Sequence, residues 1–180
     1  MRIVFISGVE FGLRCLEPIV GNGTDIAAIF SLDGREDRSG YVDFSGFGEK
    51  HGIPVHKLKE FKELNSSENV KKIKELNPDL VLVIGWSGLI GEDILAIPPK
   101  GTLGHHPTML PKHRGNAPIP WTLINGLSRS GVTLFYLEKE MDTGDIAGQR
   151  EFEITLDDDA STVYAKAIDA TAQLLLDVLP

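Results

Sequence analysis

Residues 80–85 read Leu-Val-Leu-Val-Ile-Gly, a run without one polar side chain. A strand is that uniformly apolar only where both faces of its sheet are covered, so the run predicts a central strand in a helix-flanked parallel sheet. The N-terminus makes the same demand. Residues 2–7 (RIVFIS) form a continuous apolar strand that Gly8 ends, residues 11–20 carry Phe11, Cys15 and Ile19 at helical spacing, and residues 25–31 (DIAAIFS) make a second strand. Strand, short turn, helix and strand are a βαβ unit, which sets consecutive strands parallel.

The rest of the chain continues the alternation. Residues 33–48 are polar and glycine-rich and read as a mobile loop over the sheet edge, with Tyr41, Phe44 and Phe47 as ligand platforms or as anchors of the loop. A short helix at 47–51, a brief strand at 53–55 and a helix from Ser66-Ser67 to Leu76 follow; the serines are N-cap residues. Further on come a short helix (91–97), a strand (102–104), a helix (119–127) offering Trp121, Leu123 and Ile124 for packing, a strand (131–137), an edge strand (146–154) and a helix (160–179) with Asp157, Asp158 and Asp159 at its start. The expected architecture is a single Rossmann-like α/β domain over residues 1–180, with a mostly parallel sheet of about six or seven strands and helices on both faces. Residues 8–12 hold two glycines spaced G-x-x-x-G, with Glu10 where an anion would approach. This is a strand-to-helix turn and not a dinucleotide fingerprint.

Bulk properties narrow the function. A formal charge of −8 argues against a general nucleic-acid surface. No apolar run approaches the ~20 residues of a membrane span. The lone cysteine, Cys15, lies in an apolar helical pattern and reads as core in a cytoplasmic protein.

Ligands of open α/β sheets bind beyond the carboxyl ends of strands. Three segment ends meet that description: 85–86, 104–106 and the turn at Asp142. His106 precedes Pro107, which holds its backbone extended at a strand exit. A neutral imidazole there can accept a proton and return it to a leaving group. Asp142 would stabilise the charged ring and orient it, provided the fold brings the two together. His105 should point the other way along the strand and reads as structural. His105, His106 and His113 match no common zinc spacing, so no metal is expected. Asp142-Thr143-Gly144 also fits the short aspartic-protease motif, but that chemistry needs two carboxylates sharing a proton, and the chain has one copy.

One combination is more specific than its parts. His106-Pro107-Thr108-Met109-Leu110-Pro111, then Arg114-Gly115, then Gly131-Val132-Thr133 and Asp142-Thr143-Gly144-Asp145, resembles the formyltransferases that use 10-formyltetrahydrofolate. The resemblance runs from the first strand to Ile154. It implies a Rossmann-like catalytic domain that moves a formyl group from 10-formyltetrahydrofolate to the primary amine of a small acceptor. It places the catalytic histidine on His106 and the aspartate on Asp142. The family's asparagine falls on Gly104, which carries no amide. Losing such an oxyanion donor typically costs ~10²–10³ in rate, so Gly104→Asn is expected to raise the rate. The resemblance further implies folate binding by Trp86, Leu89, Ile90, Ile94, Leu137, Glu138 and Glu140, and acceptor contacts from Thr108 and Arg114. The C-terminal domain that transfer-RNA formylation uses in the family is not among the 180 residues, and the opening and middle segments resemble the sugar-nucleotide enzymes most. The acceptor expected is therefore an amino sugar on a nucleotide, with no nucleic-acid partner. Two alternatives share the same residues: a formyltetrahydrofolate hydrolase, and a folate- or nucleotide-binding protein with a decayed site. The oligomeric state stays open.

Overall fold

The apolar runs fall next to one another. In the computed structural model, which describes residues 1–34, 37 and 39–179, the strands are β1 (Arg2–Ser7), β2 (Asp25–Leu32), β3 (Val55–Leu58), β4 (Leu80–Val83), β5 (Thr102–His106), β6 (Arg129–Tyr136) and β7 (Ile146–Glu153). Their order is β3-β2-β1-β4-β5-β6-β7, so the 80–85 run takes the middle place that its composition demands. The pairs β2–β3, β1–β2 and β1–β4 are parallel, and β6–β7 is antiparallel. The α-helices are α1 (Glu10–Gly21), α2 (Ser45–His51), α3 (Ser67–Glu75), α4 (Glu92–Leu95), α5 (Pro118–Ile124) and α6 (Ala160–Val178). The chain divides into two compact units, Met1–Leu103 and Gly104–Pro180. No described helix is long and apolar enough to cross a membrane.

In the first unit, Ile3, Val4, Phe5 and Ile6 of β1 and Val81 and Leu82 of β4 are fully buried. Helix α1 adds Phe11, Cys15, Leu16 and Ile19 to that core. Gly12 lets the helix approach: a Cβ there would strike Ser7 Oγ and lie 2.6 Å from Ser7 Cβ. Ser66 caps α3 as expected, its hydroxyl accepting from the Asn69 amide at 3.3 Å. The brief strand lies later than expected, at Val55–Leu58, because Pro54 has no N–H for the ladder. The 33–48 segment departs from a mobile loop where it is described. Lys57 Nζ bridges Asp33 at 3.1 Å and Asp43 at 3.0 Å, the Glu10 amide donates to the Gly40 carbonyl at 2.7 Å, and Phe44 and Phe47 are buried. Residues 35, 36 and 38 of that segment lie outside the described residues.

In the second unit, α6 buries Val163, Ala167, Ile168, Leu174 and Leu175. Its start is a capping box: the Asp159 carboxylate accepts from the Thr162 amide, and the Asp159 amide donates to Thr162 Oγ1, each at 2.9 Å. Helix α5 overturns its expected packing face. Ile119 and Thr122 are buried, whereas Trp121 is 55 % and Ile124 70 % exposed. Seven residues are fewer than two full turns, too short for spacing alone to settle which side faces inward.

Candidate active site

The exit of β5 and the turn after β6 meet within the second unit. Pro107 holds His106 extended at the end of its strand, and only 8 % of the residue is exposed. Its Nδ1 stands 3.9 Å from Asp142 Oδ2, and its Nε2 lies 3.2 Å from the backbone carbonyl of His113. A carbonyl only accepts, so Nε2 carries a hydrogen. In the neutral ring the basic lone pair is therefore on Nδ1, the atom facing the carboxylate. The pair is wider than a direct hydrogen bond and leaves Nδ1 beside the carboxylate, within the distance of an ion pair.

Asp142 is presented by a tight turn. Its backbone is left-handed, with φ of 56°. The turn is closed by the Tyr136 amide donating to the Asp145 carbonyl at 2.9 Å and by Thr143 Oγ1 donating to the Glu140 carbonyl at 3.1 Å. Gly144 packs directly against Tyr136: a Cβ there would fall on the Tyr136 carbonyl oxygen and 2.9 Å from its carbon.

A partly buried polar network pins the loop that follows His106. Thr133 Oγ1 donates to the Thr108 carbonyl at 2.7 Å and accepts from the Leu110 amide at 3.0 Å and from Gln149 Nε2 at 2.9 Å. Gln149 Nε2 also donates to the Leu110 carbonyl at 2.8 Å. One hydroxyl so uses its single donor and both acceptor positions. Gly131 completes the fit, since a Cβ there would strike Met109 Sδ and lie 2.6 Å from the Arg150 carbonyl oxygen. Gln149 and the His113 carbonyl were not legible as site elements in the sequence. The first sits on an exposed edge strand and the second acts through backbone.

Thr108 departs from its expected role. It is 1 % exposed, and its hydroxyl donates to the Lys112 carbonyl at 3.0 Å, so it shapes the loop and offers no free donor to an acceptor. Arg114 is exposed on the same loop. Leu137 is half-buried beside Gly104: a Cβ at Gly104 would strike Leu137 Cδ2 and lie 2.9 Å from its Cγ. A leucine side chain thus occupies the space into which a residue-104 side chain would grow. Glu138 and Glu140 are exposed on the turn leading to Asp142.

The remaining residues expected at the folate belong to the first unit. Trp86 sets its ring edge-on to Phe61, with centroids 4.7 Å apart. Leu89 is 69 % exposed at the tip of a loop that Asn65 clamps, donating from Nδ2 to the Leu89 carbonyl at 2.9 Å and accepting from the Gly91 amide at 2.7 Å. Ile90 is half-buried. Ile94 is wholly buried, which makes it core and leaves it no surface for a ligand.

His105 keeps intermediate exposure as a residue, yet burial, helped by the neighbouring His106, pushes its imidazole down to about 3. The direction, toward the neutral ring, has a consequence for stability. The unfolded imidazole takes up its proton near pH 6.5 and the folded one only near pH 3. Between these values the unfolded chain binds more protons, so stability is full above pH 6.5 and is lost progressively as pH falls toward 3. His56, which burial also lowers, adds a slope of the same sign. His105→Gln is expected to flatten the decline of Tm over this window, measured as the difference from the parent at each pH; identical slopes would show that His105 does not titrate differently on folding.

Comparisons with known proteins bear on the family and the fold. The formyl transferase family profile matches residues 39–179. Over 99 % of its length the chain is 35 % identical to a methionyl-tRNA formyltransferase of Caldanaerobacter subterraneus subsp. tengcongensis, and it spans 59 % of that relative. Among solved structures, glycinamide ribonucleotide transformylase 1 from Geobacillus kaustophilus superposes with a TM-score of 0.81 at 22 % identity, covering 99 % of this chain and 96 % of that one. A formyltetrahydrofolate deformylase from Pseudomonas syringae pv. tomato superposes with a TM-score of 0.84 at 20 % identity, covering 99 % and 59 %. These two likenesses speak for the fold, a mostly parallel seven-stranded Rossmann-like sheet, and the profile and the curated relative for the family. The chain belongs to the formyl transferase family.

Proposed function

We propose that this chain transfers the formyl group of 10-formyltetrahydrofolate to a primary amine. The observation that carries the reading is the convergence of His106 Nδ1 and Asp142 at 3.9 Å, with Nε2 held by a backbone carbonyl. The neutral amine attacks the formyl carbon and forms the new C–N bond. The proton it sheds goes to Nδ1, where Asp142 stabilises the imidazolium, and returns to the folate nitrogen as the old C–N bond breaks. In this reading the exposed residues 138–140 supply polar groups for the donor, and the exposed Arg114 faces the acceptor.

For the acceptor, the curated relative is named for methionyl-tRNA, and the chain spans only 59 % of it. That name gives no support to an amino-sugar acceptor and restores a nucleic-acid-borne amine to consideration. The test is tetrahydrofolate release with and without methionyl-tRNA, glycinamide ribonucleotide and a nucleotide-linked amino sugar. Acceleration by one of these, with the acceptor recovered as its formamide, is the expected result. Release at one rate whatever the amine, with free formate as product, would replace transfer by hydrolysis.

Leu137 changes what restoring the amide should do. Gly104→Asn alone places a side chain into space Leu137 occupies, so it is expected to leave kcat no higher than in the parent. Gly104→Asn with Leu137→Ala opens that space and is expected to raise kcat, by up to the ~10²–10³ that one oxyanion donor is worth. A faster single variant would show that Leu137 turns aside freely; a double variant no faster than the parent would show that another group already supplies the donor.

A further inference from the structure

The neutral His106 ring has one hydrogen and two acceptors that compete for it. The His113 carbonyl lies 3.2 Å from Nε2, and the Asp142 carboxylate lies 3.9 Å from Nδ1. An ionised carboxylate is the stronger acceptor. The hydrogen therefore stays on Nε2, and the basic lone pair on Nδ1, only while the carbonyl is held within reach. Its own residue does not hold it. His113 has φ of 58°, a left-handed backbone that persists in a residue other than glycine only where its surroundings enforce it.

The support runs bond by bond through the second unit. Thr108 Oγ1 donates to the Lys112 carbonyl at 3.0 Å and, more weakly, to the His113 carbonyl at 3.4 Å. Thr108 is in turn fixed by its own carbonyl, which accepts from Thr133 Oγ1 at 2.7 Å. A hydroxyl has a single hydrogen, so Thr133 serves Thr108 only if every other partner of its oxygen donates. The Leu110 amide is one such partner at 3.0 Å, and Gln149 Nε2 is the other at 2.9 Å. The Gln149 atom is the nitrogen, because it also lies 2.8 Å from the Leu110 carbonyl, which only accepts. Thr133 and Gln149 are direct cross-strand partners in β6 and β7, so the strand register delivers this amide to the hydroxyl.

We infer that Gln149 is a positioning residue for proton transfer: by donating to Thr133 it aims that hydroxyl at Thr108 and so keeps the His106 hydrogen on Nε2. The residue itself is exposed on the edge strand and acts only through the chain of bonds behind it. Its part in transfer rests on the formyltransferase reading, whereas the tautomer is a property of the protein alone.

The experiment sets Gln149→Glu against Gln149→Lys. Glutamate matches glutamine in shape but only accepts, so it draws the Thr133 hydrogen to itself and away from Thr108. Lysine differs in shape but only donates, so it leaves the hydroxyl aimed as before. Long-range proton–nitrogen NMR spectra of the histidine-labelled chain show which ring nitrogen bears the hydrogen, at about pH 8.5, where an ordinary imidazole is neutral. His106→Asn identifies the His106 signals. Nε2–H is expected in the parent and in Gln149→Lys. In Gln149→Glu the Nδ1–H form should gain on it about two- to tenfold, the shift that one hydrogen bond of ordinary net strength supports. The transfer kcat should fall in proportion to the lost Nε2–H fraction, with KM for the folate donor little changed. A residue acting by shape alone would be replaced by glutamate and spoiled by lysine. That reversed order overturns the inference, as does the same tautomer in all three proteins. A tautomer that shifts as expected while kcat stays put upholds the inference and removes His106 from the chemistry. Lost kcat with the tautomer unmoved leaves the function standing and overturns the inference.

Discussion

His106→Ala is expected to lower kcat for formyl transfer by about 10²–10⁴, the range of a positioned general base, while KM for the folate donor moves little. The size follows from how the ring is held. It is nearly buried, tied at Nε2 to the His113 carbonyl and faced at Nδ1 by Asp142, and among the described residues no other imidazole shares that position. His105, one residue earlier, is no substitute, because burial keeps it neutral and adjacent strand residues face opposite ways. His106→Asn keeps a donor for the His113 carbonyl but no basic nitrogen, so it separates the two jobs of the ring. The loop should stay ordered and transfer should still be lost. Steady-state kinetics with both variants checks this, and a kcat within about threefold of the parent in either would remove proton transfer from the account.

Gly144→Ala is expected to cost both stability and rate. The new methyl would fall on the Tyr136 carbonyl, a backbone atom that cannot rotate away, at the point where the Tyr136 amide and the Asp145 carbonyl close the turn. Overpacking of this kind typically costs about 1–3 kcal/mol. At about 2–4 °C per kcal/mol for a chain of this size, Tm should fall by several degrees. The turn that opens is the one that presents Asp142, so kcat should drop as well. Gly46→Ala is the matched control, because a Cβ there meets nothing within 4 Å. Thermal melts and transfer rates read the comparison, and a Gly144→Ala protein with the control's Tm and rate would mean that the turn yields without moving the carboxylate.

Much of this was legible in the residues. An all-apolar 80–85 run demanded the sheet centre and took it, and Ser66 capped the helix it precedes. The pairing of His106 with Asp142 was foreseeable from two strand exits, although the distance had to come from the fold. What escaped the sequence has physical reasons. The partner of Nε2 is a peptide carbonyl, which every residue possesses and no motif marks. Leu137 filling the space at Gly104 is a contact between residues 33 positions apart in which one member has no side chain to announce it. Thr108 resembled an acceptor contact because its type is right, but its hydroxyl is spent on the Lys112 carbonyl. Trp121 resembled core because its type usually is, and the short α5 turns it outward.

The account rests on imidazole and carboxylate acting as one unit on the formyl carbon. A double-mutant cycle on kcat with His106→Ala, Asp142→Ala and both together measures that coupling directly. If Asp142 works by stabilising the charged ring, the double variant will be about as slow as His106→Ala alone. Losses that simply multiply would mean that the two residues act independently and would contradict it.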